Sequence, residues 1–137
     1  MKVINKVKQG KKNRKQGAIF EKLVRSDLES KGYTVCKWVN NIDLEQNKLV
    51  SAKPAFNPFT KSFALARGFP DYIAFKRNVS LSTDSNILSN WVIIGVESKR
   101  TGYLDKIEKQ KKDWYIQYKT FDIFWIAYPE GDNVMYK

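Results

Sequence analysis

Two apolar runs joined by a polar connection constrain this chain most. The first is Tyr72-Ile73-Ala74-Phe75, preceded by Gly68-Phe69-Pro70-Asp71. The second is Trp91-Val92-Ile93-Ile94-Gly95-Val96, which ends on Glu97-Ser98-Lys99. Runs this short and this rich in β-branched and aromatic residues read as strands, and the turn-rich residues 78–90 read as the loop of a hairpin-like pair. Side chains alternate faces along a strand, so Glu97 and Lys99 point one way and Ser98 the other. With Asp71 opening the partner strand, two carboxylates and an ammonium converge at one end of the sheet. That donor set suits a hard divalent cation with a phosphate beside it. Charged residues closing such an apolar run are not a choice that core stability dictates.

Composition narrows the chemistry. Histidine is absent, which closes Ser-His-Asp and Cys-His catalysis and His-ligated zinc. The 25 Lys and Arg against 14 Asp and Glu leave a net charge of +11, and with 14% aromatic residues they point to a nucleic-acid binder. A single cysteine, Cys36, excludes an internal disulfide and reads as a small core residue. No apolar run approaches the roughly 20 residues of a membrane span, and no export signal is apparent, so the expectation is an intracellular, reducing (cytoplasmic) setting. With 42% hydrophobic residues, 137 residues suit one domain with a core.

The organisation along the chain follows from periodicity. Residues 1–16 carry seven basic residues, including Lys11, Lys12, Arg14 and Lys15, and no acidic one, which suggests a flexible arm for phosphate contacts. Residues 17–31 show the helical stripe Phe20, Leu23, Val24 and Leu28, closed by Gly32, with Glu21 on the stripe's edge. Residues 33–39 read as a strand. Residues 42–69 are the least regular part, with Leu49-Val50 as a short strand. Lys53, Lys61 and Arg67 are interleaved there with Phe56, Phe59 and Phe63, a pattern able to track phosphates and stack on bases, or, for Phe63, to cover one end of the core. Residues 104–119 read as a second helix marked by Leu104, Ile107, Trp114 and Tyr118, with Lys106, Lys109, Lys111 and Lys112 largely outward. The near-continuous apolar run at 121–128 suits a strand buried on both faces, ended by Pro129. The expected architecture is one α/β domain over residues 17–137, ordered α-β-β-β-α-β, its central mixed sheet flanked by helices.

Pro70-Asp71 followed by Glu97-Ser98-Lys99 resembles the PD-(D/E)XK nuclease superfamily, which implies a restriction-endonuclease-like core. Lys15-Gln16-Gly17-Ala18-Ile19-Phe20-Glu21 is similar to the opening helix of archaeal-type Holliday junction resolvases, where a glutamate reaches the metal site; Glu21 matches it. Asn40-Asn41 departs from the serine-containing loop usual in those enzymes. The 68–71 segment and the continuation Arg100-Thr101-Gly102 look more like VRR-NUC nucleases. Gln110 matches, in part, the glutamine that related nucleases carry on the helix after E-x-K. The resemblance implies catalysis by Glu21, Asp71, Glu97, Lys99 and Gln110, and a Mg²⁺ (or Mn²⁺) site of Asp71, Glu97 and the Ser98 carbonyl, supported by Glu21. DNA contacts would then come from Lys11, Lys12, Arg14, Lys15, Lys53, Lys61, Arg67, Arg100, Lys106 and Lys109. The activity implied is endonucleolytic cleavage of branched DNA by a homodimer, leaving 5′-phosphate and 3′-hydroxyl ends. A flap or linear-DNA nuclease, a DNA-binding protein without catalysis and an RNA-binding accessory protein are the alternatives.

Overall fold

The structure, a computed structural model, describes residues 2–53, 56–63, 68–81 and 87–137. In chain order the elements are α1 (Lys2–Ser30), β1 (Thr34–Lys37), β2 (Asn40–Asp43), β3 (Lys48–Ser51), β4 (Phe56–Asn57), β5 (Ser62–Phe63), β6 (Tyr72–Leu81), β7 (Ile87–Ser98), α2 (Lys106–Gln117), β8 (Ile123–Glu130) and β9 (Asn133–Tyr136). Five strands form the central sheet in the order β1-β6-β7-β8-β9, while β2-β3 and β4-β5 are separate hairpins. The β7–β8 pair is parallel and its neighbours are antiparallel, so the sheet is mixed, with helices flanking it.

Strand alternation sends one set of side chains to each helix. Phe20, Val24 and Leu28 of α1 pack on Val35, Tyr72, Ala74, Ile94, Val96 and Ala127. On the opposite face Tyr115 of α2 packs with Ile42, Phe69, Leu104, Phe121, Phe124 and Ile126. The interior run of β8 is therefore buried from both sides, as its unbroken apolarity requires. Gly95 makes this packing possible. A Cβ there would lie 2.7 Å and 2.8 Å from the buried ring of Phe121.

Several boundaries differ from the sequence expectation. The helix runs back to Lys2 instead of starting at residue 17, because nothing between Lys2 and Ser30 breaks it apart from two tolerated glycines, and extending an existing helix costs little. Its end at Gly32 is as expected: φ is +89°, and the Gly32 and Tyr33 N–H groups donate to Glu29 and Leu28 carbonyls. Residues 78–81 and 87–90, expected as loop, are strand, since β6 and β7 stay paired out to Leu81 and Ile87, and residues 82–86 lie outside the described residues. Leu49-Val50 does form a strand, β3. Pro129 lies inside β8 rather than ending it, and β9 adds an edge that periodicity did not reveal. Cys36 is exposed, not core, because β1 is an edge strand and only Val35 of its alternating pattern turns inward.

On α2 the buried residue is Tyr115, whereas Ile107 and Tyr118 are exposed. Lys111 and Lys112, expected to face outward, are instead half-buried over the rings of Phe69 and Phe124, because they lie on the side of α2 that packs on the sheet. Among the described residues no helix is long and apolar enough to cross a membrane.

Gly95→Ala is expected to lower the unfolding free energy by about 1–3 kcal/mol through overpacking. A urea melt showing no loss would mean that Phe121 repacks freely.

Candidate active site

Asp71 stands opposite Glu97, one step beyond the Tyr72–Val96 pair at the end of the β6–β7 ladder. The two are interlocked. The Asp71 backbone N–H donates to Glu97 Oε2 at 3.0 Å, and the Ser98 N–H donates to Asp71 Oδ2 at 2.8 Å. Each carboxylate is thus fixed by a backbone group of the other's strand. The approach to Asp71 is fixed as well. The Trp38 N–H donates to the Asp71 carbonyl, and Gly68 passes so close to β2 that a Cβ would meet the Asn40 carbonyl oxygen at 2.6 Å. Only glycine fits there without moving backbone.

Lys99 follows on the same side as Glu97, as strand alternation requires. Its Nζ lies 3.9 Å from Glu97 Oε1 and makes a 2.8 Å hydrogen bond to Glu108 Oε1, with Oε2 of the same carboxylate at 2.7 Å. Glu108 is thus a site residue that the sequence reading did not single out. It occupies the first turn of α2, where Asp105 caps the helix by accepting the Glu108 N–H at 2.8 Å. Asp105-x-x-Glu108 therefore has the form of a local capping box, in which the glutamate side chain would reach back to the cap. Here the carboxylate turns to Lys99 instead. The available clue was its position two turns before Tyr115, on the buried face of the helix.

Burial sets the electrostatics. Glu97 is only 7% exposed, the one buried charged side chain among the described residues. Removal from water, then the charge of Asp71, raises its carboxyl from 4.5 to about 9, against the pull of Lys99. Burial likewise raises Asp71 to about 6, with Glu21 adding repulsion and the Ser98 N–H opposing it. Two such carboxyls share protons as a pair. For Lys99, burial works to discharge the ammonium, but the bond to Glu108 and the charges of Glu97 and Glu108 win, and its pKa rises.

Other expected residues are distributed as follows. Glu21 lies on α1, half-buried, its carbonyl accepting the Tyr72 hydroxyl at 3.2 Å; its carboxylate acts on Asp71 through charge. Gln110 does not join the site. It is exposed, two residues past Glu108 and so about 200° around the helix. Lys11, Lys12, Arg14 and Lys15 are exposed along α1, as are Lys53, Lys61, Arg100, Lys106 and Lys109 elsewhere. Arg67 lies outside the described residues, as does the side chain of Phe63; Phe59 is 95% exposed.

Among the described residues no three His, Cys, Asp or Glu side chains gather tightly enough to enclose a metal. The donor set present is the buried Glu97 carboxyl and the partly buried Asp71 carboxyl on the neighbouring strand, and a bound cation would offset the loss of water that raises both. Magnesium is commonly bound through one or two carboxylates while keeping several waters, so this set fits it. Comparison with family models, with characterised proteins and with solved structures finds no match.

A carboxyl raised from 4.5 to about 9 contributes stability that is complete below the first value and lost as pH rises through the second, because the unfolded chain releases that proton earlier. In metal-free buffer, Glu97→Gln is therefore expected to be more stable than wild type at about pH 8, the gap closing toward about pH 4.5. Parallel urea-unfolding profiles across that range would show that Glu97 folds already ionised.

Proposed function

We propose that this chain is a divalent-metal-dependent DNA endonuclease with a restriction-endonuclease-like core, acting on branched DNA in the manner of the Holliday junction resolvases. The observation that carries the reading is the interlocked Asp71–Glu97 pair with Lys99 fixed beside it at the end of a mixed sheet. The net charge of +11 supports a polyanionic substrate. Two symmetric cuts in a junction need two sites, so a homodimer is part of the reading.

Asp71, Glu97 and the Ser98 carbonyl would hold Mg²⁺, with Glu21 supporting the site through solvent. When bound, the cation supplies Lewis-acid neutralisation of the charge that builds on the scissile phosphate. The chain's own contribution is positioning. Glu108 holds the Lys99 side chain, which is otherwise free to rotate about four bonds, and keeps it cationic. Lys99 would then donate to a non-bridging phosphate oxygen as water adds to phosphorus, giving a proton to solvent, and the bond to the 3′ oxygen breaks, that oxygen taking a proton from solvent to leave as the hydroxyl. It acts as an electrostatic clamp. Glu108 is a positioning residue, acting through Lys99.

Cleavage of labelled four-way junction, flap, duplex and single-stranded DNA with Mg²⁺, Mn²⁺ or EDTA tests the reading. Metal-dependent cutting is expected, falling roughly 10²-fold or more in Asp71→Asn and Lys99→Ala. Paired symmetric nicks select the resolvase class, and flap or linear cutting selects the VRR-NUC class. Tight, salt-sensitive binding with no cleavage under any metal would leave a DNA-binding protein and sink the enzyme.

Glu108→Ala is expected to lower kcat about 10–100-fold with KM little changed, in the range typical of residues that orient a ligating or reacting group. Gln110→Ala should match wild type. The reverse ranking would return the role on α2 to Gln110.

A further inference from the structure

The basic segment and the candidate catalytic residue Glu21 lie on one continuous helix, and this geometry has a consequence for substrate binding. Phe20, Val24 and Leu28 anchor α1 in the core. The Tyr72 hydroxyl ties it at Glu21, and Arg100 Nη1 donates to Gln16 Oε1 at 2.7 Å, joining the helix to the loop after Lys99. Between Lys6 and Lys15 every residue except Gly10 is exposed. At 1.5 Å per residue, the stretch before Gln16 extends about 21 Å from this anchor.

Register matters because the segment is helical. With about 100° per residue and Glu21 at zero, Arg14, Lys11, Lys22, Lys15 and Lys8 fall at about 20–140°, on the flank next to Glu21. The core residues Phe20, Val24 and Leu28 fall at about 260–340°. One basic stripe therefore leads directly to the site's edge.

The partner's chemistry is readable from what the stripe lacks. There is no acidic residue before Glu21 and no aromatic one before Phe20, so the arm offers no platform for stacking unpaired bases. Over residues 2–18 the apolar side chains are Val3, Ile4, Val7 and Ala18 against seven basic ones, too few for a membrane-embedded face. A straight cationic rod without either feature fits the phosphate backbone of a duplex. About 21 Å matches roughly six base pairs at 3.4 Å rise.

We infer that the projecting half of α1 lies along the phosphate backbone of a DNA duplex arm and, through its fixed helical register with Glu21, aligns that arm with the Asp71–Glu97 site. This rests on the nuclease reading for the role of the site, but the contact itself can be tested apart from cleavage.

The test uses full-length protein in EDTA, with alanines inserted after Lys15. Two alanines turn the stripe by about 200° and seven by about 700°, nearly two full turns. Binding to a junction with duplex arms is expected to weaken tenfold or more with two alanines and to recover with seven. Replacing Lys8, Lys11, Arg14 and Lys15 by alanine should lower the slope of log K against log salt by about 0.9 per lost contact, roughly 3.6 in all. Thermal melts verify that each variant is folded. If both insertions bind alike, the arm is a flexible tether and the inference is overturned. Equal arm-dependent gains on single-stranded DNA or duplex RNA overturn the assignment to duplex DNA. Phase-dependent binding without any metal-dependent cleavage would retain the arm and remove the nuclease, so the two readings fail separately.

Discussion

The reciprocal hydrogen bonds between Asp71 and the end of β7 are the constraint on which the rest of the site depends. Each carboxylate accepts a backbone N–H from the other strand, so neither can turn away without breaking the ladder's last rung. Two carboxyls held this way resist ionising together, because burial withholds water and the charge of Asp71 raises Glu97 further. A sheet built only for stability would not end like this. An apolar pair at positions 71 and 97 would bury the same area without charge, so the arrangement is the kind of stability cost that accompanies function.

Holding such a pair in place requires support from both faces of the sheet. On one side α1 packs through Phe20, Val24 and Leu28 and brings Glu21 to its edge. On the other, Tyr115 fills the layer beneath α2; its hydroxyl donates to the Phe69 carbonyl and accepts the Trp38 indole N–H at 3.1 Å. Phe69 lies two residues before Asp71, so the buried tyrosine steadies the segment that delivers the carboxylate. The same helix face carries Glu108 seven residues earlier, which is how packing and the Lys99 contact come from one element. Gly68 and Gly95 serve the same end by letting backbone and ring approach where any side chain would intrude.

The parts of this arrangement that were legible in the sequence are those governed by a short period. Strand alternation put Glu97 and Lys99 on one side, and helical spacing put Glu21 at the edge of the Phe20–Val24–Leu28 stripe; both hold in the structure. What escaped was decided by partners distant in sequence. Glu108 resembled half of a capping box, and only tertiary placement turned it to Lys99. Cys36 sat in a strand pattern, but edge position, which no local pattern encodes, left it exposed. The pairing of residues 78–81 with 87–90 was hidden by Asn and Ser, which read as turn while a ladder with ten paired positions carried them as strand. The helical extension of residues 2–16 was masked by its charge. A basic run suggests a solvated arm, yet lysine, glutamine and arginine are good helix formers once a neighbouring helix supplies the nucleus.

The charge distribution joins the site to the surface. The chain carries +11 overall, yet Glu21, Asp71, Glu97, Asp105 and Glu108 cluster around one sheet end. A basic surface of this kind favours the approach of a polyanion. Close to the site the acidic groups set the opposite local field, and Lys99 is held within it by Glu97 and Glu108. On the proposed reading, DNA association and phosphate engagement are therefore separable. The first depends on lysines and arginines and weakens with salt, whereas the second requires a cation to invert the local charge. Lys99 alone does not invert it, because Glu108 already neutralises that ammonium. On that reading the contact that fixes Lys99 also leaves its charge too little to engage a phosphate alone, and cleavage of bound DNA would wait for the cation.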